Sequence, residues 1–220
     1  YSSLVDGMFE LFEKPLDEGD ARLILRTGQP KQATDWSRDG RHVLYRTVTT
    51  TPNVDMDIWA LPVEDGGEPF AVVRTPFDER DAQFSPDARW IAYQSNESGR
   101  AEIYVQPFNR PGSRERVSTD GGVQARWRAD GRELFYLTLD GVLTAVPMTA
   151  EGDALKPGVP QTLFALPVGG VRGISLHRYI VSDDGARVLV DTVLEQQPAP
   201  ISLILNWAPP ARRPLEESPR

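Results

Sequence analysis

A ten-residue phrase occurs four times along the chain and constrains its fold more than any other feature. It reads FSPDARWIAY at residues 84–93, and its copies WSRDGRHVLY, WRADGRELFY and VSDDGARVLV begin at Trp36, Trp127 and Val181. Each copy ends one short strand on an apolar residue, makes a tight turn and begins an alternating apolar run. Copies that start 43 to 54 residues apart are typical of the blades of a β-propeller.

The pattern predicts an all-β fold, a β-propeller of four-stranded antiparallel blades with three complete and two partial blades. A single blade cannot bury its own faces, so we expect the repeats to form one array. Helical periodicity is almost absent, and the 18 Gly and 19 Pro lie mainly between the strand patterns, where turns need them. Three prolines inside strand patterns share one place, the end of the third strand: Pro62, Pro107 and Pro147.

The predicted blade boundaries follow the copies of the phrase. Residues 1–31 would supply the third and fourth strands of a blade whose first two strands are missing. We therefore expect the chain to start inside a blade, which implies a longer parent chain or an unusual ring closure. The remaining segments are predicted to be three complete blades, a last incomplete blade and a disordered, Pro-rich and charged tail: residues 32–77, 78–121, 122–168, 169–207 and 208–220.

The residues of the phrase have predictable roles. The aromatic side chains of Trp36, Phe84 and Trp127 share one repeat position, and we expect each to be buried between neighbouring blades. A glycine follows the turn aspartate in three copies, where the chain needs a positive φ, and Ala88 takes that place in the other. The aspartates are expected to accept backbone N–H bonds in Asx-type turns: Asp39, Asp87, Asp130 and Asp184.

Composition excludes several classes of function. The formal net charge of −8 has the wrong sign for a protein that binds a nucleic-acid backbone. The absence of cysteine excludes disulfides, thiolate catalysis and Cys-based metal sites. The longest apolar runs, such as ISLIL at residues 201–205, fall far short of the ~20 residues of a membrane-spanning helix. No charged-then-apolar leader opens the sequence, so we expect no signal peptide in it.

The phrase, with DIW at residues 57–59, EIYVQPF at residues 102–108 and ISLILNW at residues 201–207, resembles the TolB-type propeller repeat, a relative of the WD-type repeat. It is especially similar to the propeller that follows the kinase domain and membrane segment of many bacterial serine/threonine protein kinases. The resemblance covers about residues 1–207 and implies an extracytoplasmic, periplasmic-side location. It implies a fold more than a function, because propellers of one shape serve many roles.

No catalytic or metal-binding apparatus is visible in the sequence. The glycine-rich loop, β3 lysine, HRD and DFG motifs of a kinase are absent. The string GISLH at residues 173–177 lacks the second glycine of a nucleophile elbow, and His42 and His177 are too far apart for a convincing metal set. Asp55 and Asp57 lack the downstream glycine and glutamate of a calcium loop. We therefore predict a non-enzymatic chain with no cofactor and no metal.

The predicted binding surface is the mouth of the axial channel, where the chain enters the inner strand of each blade. Mixed charge around a funnel suits a protein or peptide ligand better than an apolar cofactor. The alternative is that these residues line the channel and only hold water. The polar loops of residues 47–54 and 94–100 form a second candidate surface. The predicted mouth residues are Asp35, Arg80, Asp81, Gln83, Gln124, Arg126, His177 and Arg178.

Our first hypothesis is a binding or sensor module of a larger bacterial protein, either a receptor-like kinase or a TolB-like envelope component. The alternative is the gating propeller of a prolyl-oligopeptidase-like hydrolase, which a Gly-x-Ser-x-Gly domain would follow. A sugar- or lactone-processing propeller enzyme is a third possibility and would need a metal on the axis. An array that stays open would also expose a strand edge for pairing with another chain.

Overall fold

The computed structural model describes residues 1–48, 56–63, 66–166 and 178–191, and these residues form 18 strands in five sheets. Every strand pair is antiparallel. The described part of the chain contains no helix of the length and apolar character that a membrane crossing requires. The all-β fold predicted from the sequence is confirmed.

The first sheet has three strands where the sequence predicted two. β1 (Ser2–Val5), β2 (Met8–Glu13) and β3 (Arg22–Leu25) pair in chain order. Between β1 and β2, Asp6 and Gly7 have φ of 50° and 82°, and an Asp-Gly pair with two positive φ angles is the signature of a tight hairpin turn. That dipeptide is the sequence signal that would have revealed β1.

The second and third sheets are four-stranded and follow chain order, as predicted for complete blades. Pro62 and Pro107 are the last residues of their third strands, where the missing N–H costs no ladder bond. The strands are β4 (Lys31–Trp36), β5 (His42–Thr47), β6 (Ile58–Pro62), β7 (Phe70–Val73), β8 (Glu79–Phe84), β9 (Trp90–Ser95), β10 (Glu102–Pro107) and β11 (Glu115–Arg116).

The fourth sheet contains a hairpin that the sequence analysis missed. The prediction that Pro147 ends its strand is wrong. Strand β14 (Val142–Glu151) continues for four residues beyond Pro147 and pairs there with β15 (Ala154–Pro157), while the first half of β14 pairs with β16 (Gln161–Ala165). A last two-stranded sheet follows; residues 201–207 and the tail lie outside the described residues. The strands are β12 (Val123–Trp127), β13 (Glu133–Leu137), β14 (Val142–Glu151), β15 (Ala154–Pro157), β16 (Gln161–Ala165), β17 (Tyr179–Val181) and β18 (Val188–Val190).

The hydrophobic core lies between successive sheets rather than inside one. The first strands β4, β8, β12 and β17 are neighbours in that order. One apolar cluster joins the second and third sheets through Ile58 and Ile91, and another joins the third and fourth through Ile103 and Leu134. A third, which includes Leu143 and Tyr179, joins the fourth sheet to the last. Sheets stacked face to face around an axis of first strands are the arrangement of a β-propeller.

The turn of the repeated phrase has the predicted hydrogen bonds. In each copy the aspartate Oδ1 accepts from the backbone N–H two residues later, at 3.0 or 3.1 Å. In three copies a serine Oγ two residues before the aspartate also donates to it, at 2.6 Å. Ala88 has φ of 54°, beside 77° at Gly40 and 72° at Gly131, which confirms that this turn position is left-handed.

The shared burial expected for the aromatic residues is wrong for Trp36. Phe84 is 6 % exposed and Trp127 packs against the cluster of the third and fourth sheets, whereas Trp36 is 45 % exposed. The rings of Phe84 and Trp127 each pack on the sheet that precedes their own. Before Trp36 the preceding sheet is the three-stranded β1–β3. Among the described residues, the buried members of its apolar junction with the second sheet are Leu11, Tyr45 and Leu61.

Candidate functional site

The first strands β4, β8 and β12 each pair irregularly with the second strand of their sheet. Within two of these irregular segments, Asp81 and Gln124 have φ of 52° and 57°, values that are uncommon for residues other than glycine. Bulges of this kind turn side chains to new directions and are frequent beside functional sites. The pairing shifts between Ala33 and Asp35, between Arg80 and Gln83, and between Val123 and Arg126.

Opposite charges lie on these bulged strands: Asp81 and Arg126 are buried, and Asp35 is partly buried. Burial raises the pKa of the Asp35 carboxyl, and the N–H of Phe84, which donates to Asp35 Oδ2 at 2.7 Å, opposes that rise. Burial lowers the pKa of Arg126, while Tyr179, Asp81 and Asp35 act in the opposite direction. The axis therefore holds acid and base side chains that interact through protein rather than through bulk water.

Arg126 is fixed in place by its neighbours. Its Nη1 donates to Ala125 O at 2.7 Å, and its guanidinium carbon lies 5.9 Å from the centre of the Tyr179 ring. With its side-chain amide oriented to satisfy both ends, Gln83 donates to Ala125 O and accepts from Arg126 Nη1, each at 3.0 Å. Gln83 and Arg126, both predicted as mouth residues, are thus in direct contact.

Gln124 connects the fourth sheet to the last one. Its side-chain oxygen accepts the backbone N–H of Arg178 at 2.9 Å, and its backbone oxygen accepts the hydroxyl of Tyr179 at 2.8 Å. Tyr179 is 2 % exposed, and burial raises the pKa of its hydroxyl. The left-handed backbone at Gln124 therefore serves to present both oxygens to the next sheet.

Arg80 and Arg178 are two predicted mouth residues whose side chains are partly accessible. Arg80 Nη2 pairs with Asp78 Oδ2 at 3.1 Å, and Arg178 Nη1 lies 4.0 Å from Asp191 Oδ2. Their side chains are 23 % and 24 % exposed, so part of each guanidinium faces solvent. His177 lies outside the described residues.

Sequence reasoning missed two ionisable residues near this mouth. Arg46 on β5 is 6 % exposed, donates to Gln32 Oε1 at 2.7 and 3.2 Å, and interacts electrostatically with Asp81. Glu79 at the start of β8 is fully buried. Burial raises the pKa of its carboxyl to about 6, although the hydroxyls of Thr75 and Ser95, which donate hydrogen bonds to it, act in the opposite direction. The sequence signal for Arg46 was an arginine inside the apolar run HVLYRTV. No sequence signal pointed to Glu79.

The geometry of the charged residues on the first strands is suited to recognition of polar groups. Among the described residues, no group of three or more His, Asp or Glu side chains is placed to hold a metal ion. Asp35 and Arg126 are held by hydrogen bonds to backbone and amide groups, which fixes their positions. Fixed charges on neighbouring first strands are an arrangement suited to binding.

Comparison with solved structures identifies the fold. TolB from Acinetobacter baumannii matches with a TM-score of 0.63 at 16 % identity, over 88 % of this chain and 45 % of that one. A protein described as a TolB from Agrobacterium tumefaciens matches with a TM-score of 0.57 at 20 % identity, over 74 % and 61 %. The fold is a TolB-type β-propeller. The β-propeller domain of Myceliophteria thermophila Cps50 (Swd1) is also similar, with a TM-score of 0.52 at 16 % identity, over 76 % and 50 %.

The extent of these matches limits what they show about function. The chain spans 61 % or less of the length of each of these three structures. No protein-family model and no curated protein matches the sequence. At identities of 20 % or less, the TolB-type propeller is a statement about fold, and the ligand has to be argued from the residues.

Proposed function

We propose that this propeller is a non-catalytic binding module whose ligand is a protein or peptide segment held at the axial mouth. The observation that supports the proposal most is the convergence of Asp35, Asp81 and Arg126 on bulged first strands. Burying charges and holding Asp81 in a left-handed conformation both cost free energy that a purely structural strand would avoid. Costs of this kind are concentrated at functional sites in proteins.

A peptide is the ligand class that fits the chemistry of this mouth. Arg80 and Arg178 present guanidinium donors at its accessible part, and Asp78 and Asp191 present acceptors beside them. Backbone amides, side-chain carboxylates and chain termini offer both kinds of partner, whereas an apolar cofactor offers neither. The mixed charge also permits a register-specific fit, because a shifted peptide would meet like charges.

The proposal places the module in a larger bacterial signalling protein of the serine/threonine kinase type or in a TolB-like envelope protein, on the extracytoplasmic side of the membrane. The resemblance of the repeated phrase supports both parents. Sequence of the parent gene on both sides separates them, because kinase motifs upstream identify the first. A Gly-x-Ser-x-Gly domain downstream would instead identify the hydrolase propeller. That alternative is not favoured, since the similarity to the TolB structures has TM-scores of 0.57 and 0.63.

Selection of peptides tests the binding function. A random-peptide phage library panned on the folded chain should yield a family of related sequences. Because Arg80 is a mouth donor, Arg80→Glu should weaken the selected peptides by about tenfold or more, the loss expected for one charge-assisted hydrogen bond. Arg22→Glu, on the exposed face of the first sheet, is the matched control and should leave binding unchanged. The axial site would be refuted by selected peptides that bind the Arg80→Glu and Arg178→Glu variants with the same affinity as the parent chain.

A further inference from the structure

A second cavity lies at the other end of the blades, away from the axial mouth. It has a volume of about 750 Å³ and lies between the third and fourth sheets, a size typical of ligand sites. The antiparallel order of the strands puts the turns of the repeated phrase and the β14–β15 hairpin at this end. We call the cavity the hairpin groove; it is lined by Trp90, Trp127, Pro86, Met148, Leu155 and Arg132, among others.

The β14–β15 hairpin that borders the groove is firmly attached to the third sheet. Leu155 is 4 % exposed and belongs to the cluster of the third and fourth sheets. Lys156 Nζ pairs with Glu115, and Arg110 Nη1 donates to Asp153 Oδ1 at 3.0 Å. The groove is therefore a pre-formed feature with fixed sides, and a ligand would not have to order a loose hairpin in order to bind.

Three hydrogen-bond donors of the groove are left with unused capacity. The Trp127 Nε1 atom is buried and has no hydrogen-bond partner among the described residues. The Arg132 guanidinium makes no hydrogen bond or ion pair within the described part of the chain. Arg38 Nη1 makes one long donation, to Ala129 O at 3.5 Å. The two guanidiniums are the donors at this corner that can meet an acceptor from outside.

The carboxylates of the groove are already occupied. Asp130 accepts from Arg128 Nε and Nη2 at 2.7 and 2.8 Å, and these bonds hold its pKa at about 2. Asp87 Oδ1 accepts from Ser85 Oγ at 2.6 Å and from Arg89 N at 3.1 Å. The donors that the groove can offer to an anion are thus the guanidiniums of Arg38 and Arg132, which interact electrostatically with Asp35 and Asp130 but form no ion pair among the described residues.

We propose that the hairpin groove binds an extended peptide segment in which a carboxylate stands next to an apolar side chain. The carboxylate pairs with Arg132 and Arg38, and the apolar side chain lies against the apolar wall of the groove, next to the Trp127 ring. Free inorganic anions would use only the first of these contacts. Each contact is additional to those of the axial mouth, although Arg38 of the groove also interacts electrostatically with Asp35 of the mouth.

The indole N–H signal of Trp127 in a nitrogen-15 NMR spectrum is the direct reporter of this site. It is assigned with Trp127→Phe, and the Trp36 indole, which already donates to Gly40 O at 3.0 Å, serves as an internal reference. The probes are the matched peptides Leu-Pro-Glu-Leu-Pro and Leu-Pro-Gln-Leu-Pro with blocked ends. The Glu peptide should shift the Trp127 signal saturably, and the Gln peptide should bind about tenfold more weakly, because it loses the charge-assisted pair.

Two variants separate the proposed contact from a general effect on folding. Arg132→Gln should weaken the Glu peptide about tenfold and remove its advantage over the Gln peptide, while the other indole signals stay in place. Arg22→Gln should change nothing. Equal affinity for both peptides, or no saturable shift at Trp127, would overturn the proposal. A Trp127 shift that depends on protein concentration without peptide would also overturn it, since a second copy of the chain would then fill the groove.

Discussion

Phe84 and Trp36 occupy the same position of the repeated phrase and have opposite environments. Phe84 is 6 % exposed and its ring lies 4.8 Å, edge to face, from that of Phe108. Trp36 is 45 % exposed, and its Nε1 donates to Gly40 O within its own turn. The difference shows that the phrase specifies a strand and a turn, while burial of its aromatic residue depends on the sheet that precedes it.

The junction between the second and third sheets also differs in chemistry from the junction between the first and second sheets. Between the second and third sheets a large apolar and aromatic cluster is buried, alongside polar contacts such as the Phe84 N–H to Asp35 Oδ2. Between the first and second sheets the apolar cluster is small, and beside it Lys31 on β4 pairs with Glu10 on β2, both 1–2 % exposed. The first sheet is therefore joined to the array partly by a buried ion pair, a contact that is sensitive to loss of either partner.

The largest expected effect contrasts the two aromatic residues. Phe84→Ala should lower the free energy of unfolding by about 3–5 kcal/mol, because it empties a packed site between two sheets. Trp36→Ala should cost about 1 kcal/mol or less, since nearly half of its surface is already in water. Urea unfolding of both variants measures the difference. Equal losses would mean that Trp36 is covered in solution and that the two junctions are alike.

The buried ion pair gives the next effect. Lys31→Met should cost about 3 kcal/mol, because it leaves the Glu10 carboxylate buried, with Arg26 Nε at 4.0 Å as its remaining ion-pair partner among the described residues. The control is Arg22→Met in the same sheet, whose 2.6 Å pair with Glu13 is exposed and should contribute less than about 1 kcal/mol. The unfolding midpoints of the two variants in urea measure the two losses of stability. Recovery of most of the loss in Lys31→Met with Glu10→Leu would identify the unpaired charge as its cause.

The smallest effect concerns the turn that all regions share. Ala88→Gly should be neutral or stabilise the chain by less than about 1 kcal/mol, because alanine at a φ of 54° is strained and glycine is not. Gly40→Ala should instead destabilise the chain. Because the added Cβ would meet no atom within 4 Å, the loss of stability would come from backbone strain alone. Thermal unfolding of the pair gives both signs. A loss above about 1 kcal/mol in Ala88→Gly would contradict the shared turn geometry.

The candidate site was predictable only in part. The sequence placed Asp35, Asp81 and Arg126 on first strands, because the period of the repeat gives each strand its position in a blade. It gave no sign of the bulges that turn these side chains, since a shift in register depends on the partner strand. Tyr179, which holds Gln124 O from the next sheet, also escaped notice because its role exists only across a sheet boundary.

The sequence by itself determined the repeats, the short strands and the aspartate turns. These features depend on groups two to five residues apart, such as Asp87 Oδ1 with the N–H of Arg89, and such contacts form wherever the local pattern recurs. Tertiary structure alone decided that Phe84 is buried and Trp36 is not, that β14 continues past Pro147, and that Glu10 meets Lys31. Each of these depends on which surface lies opposite, and burial of a side chain is a property of both surfaces.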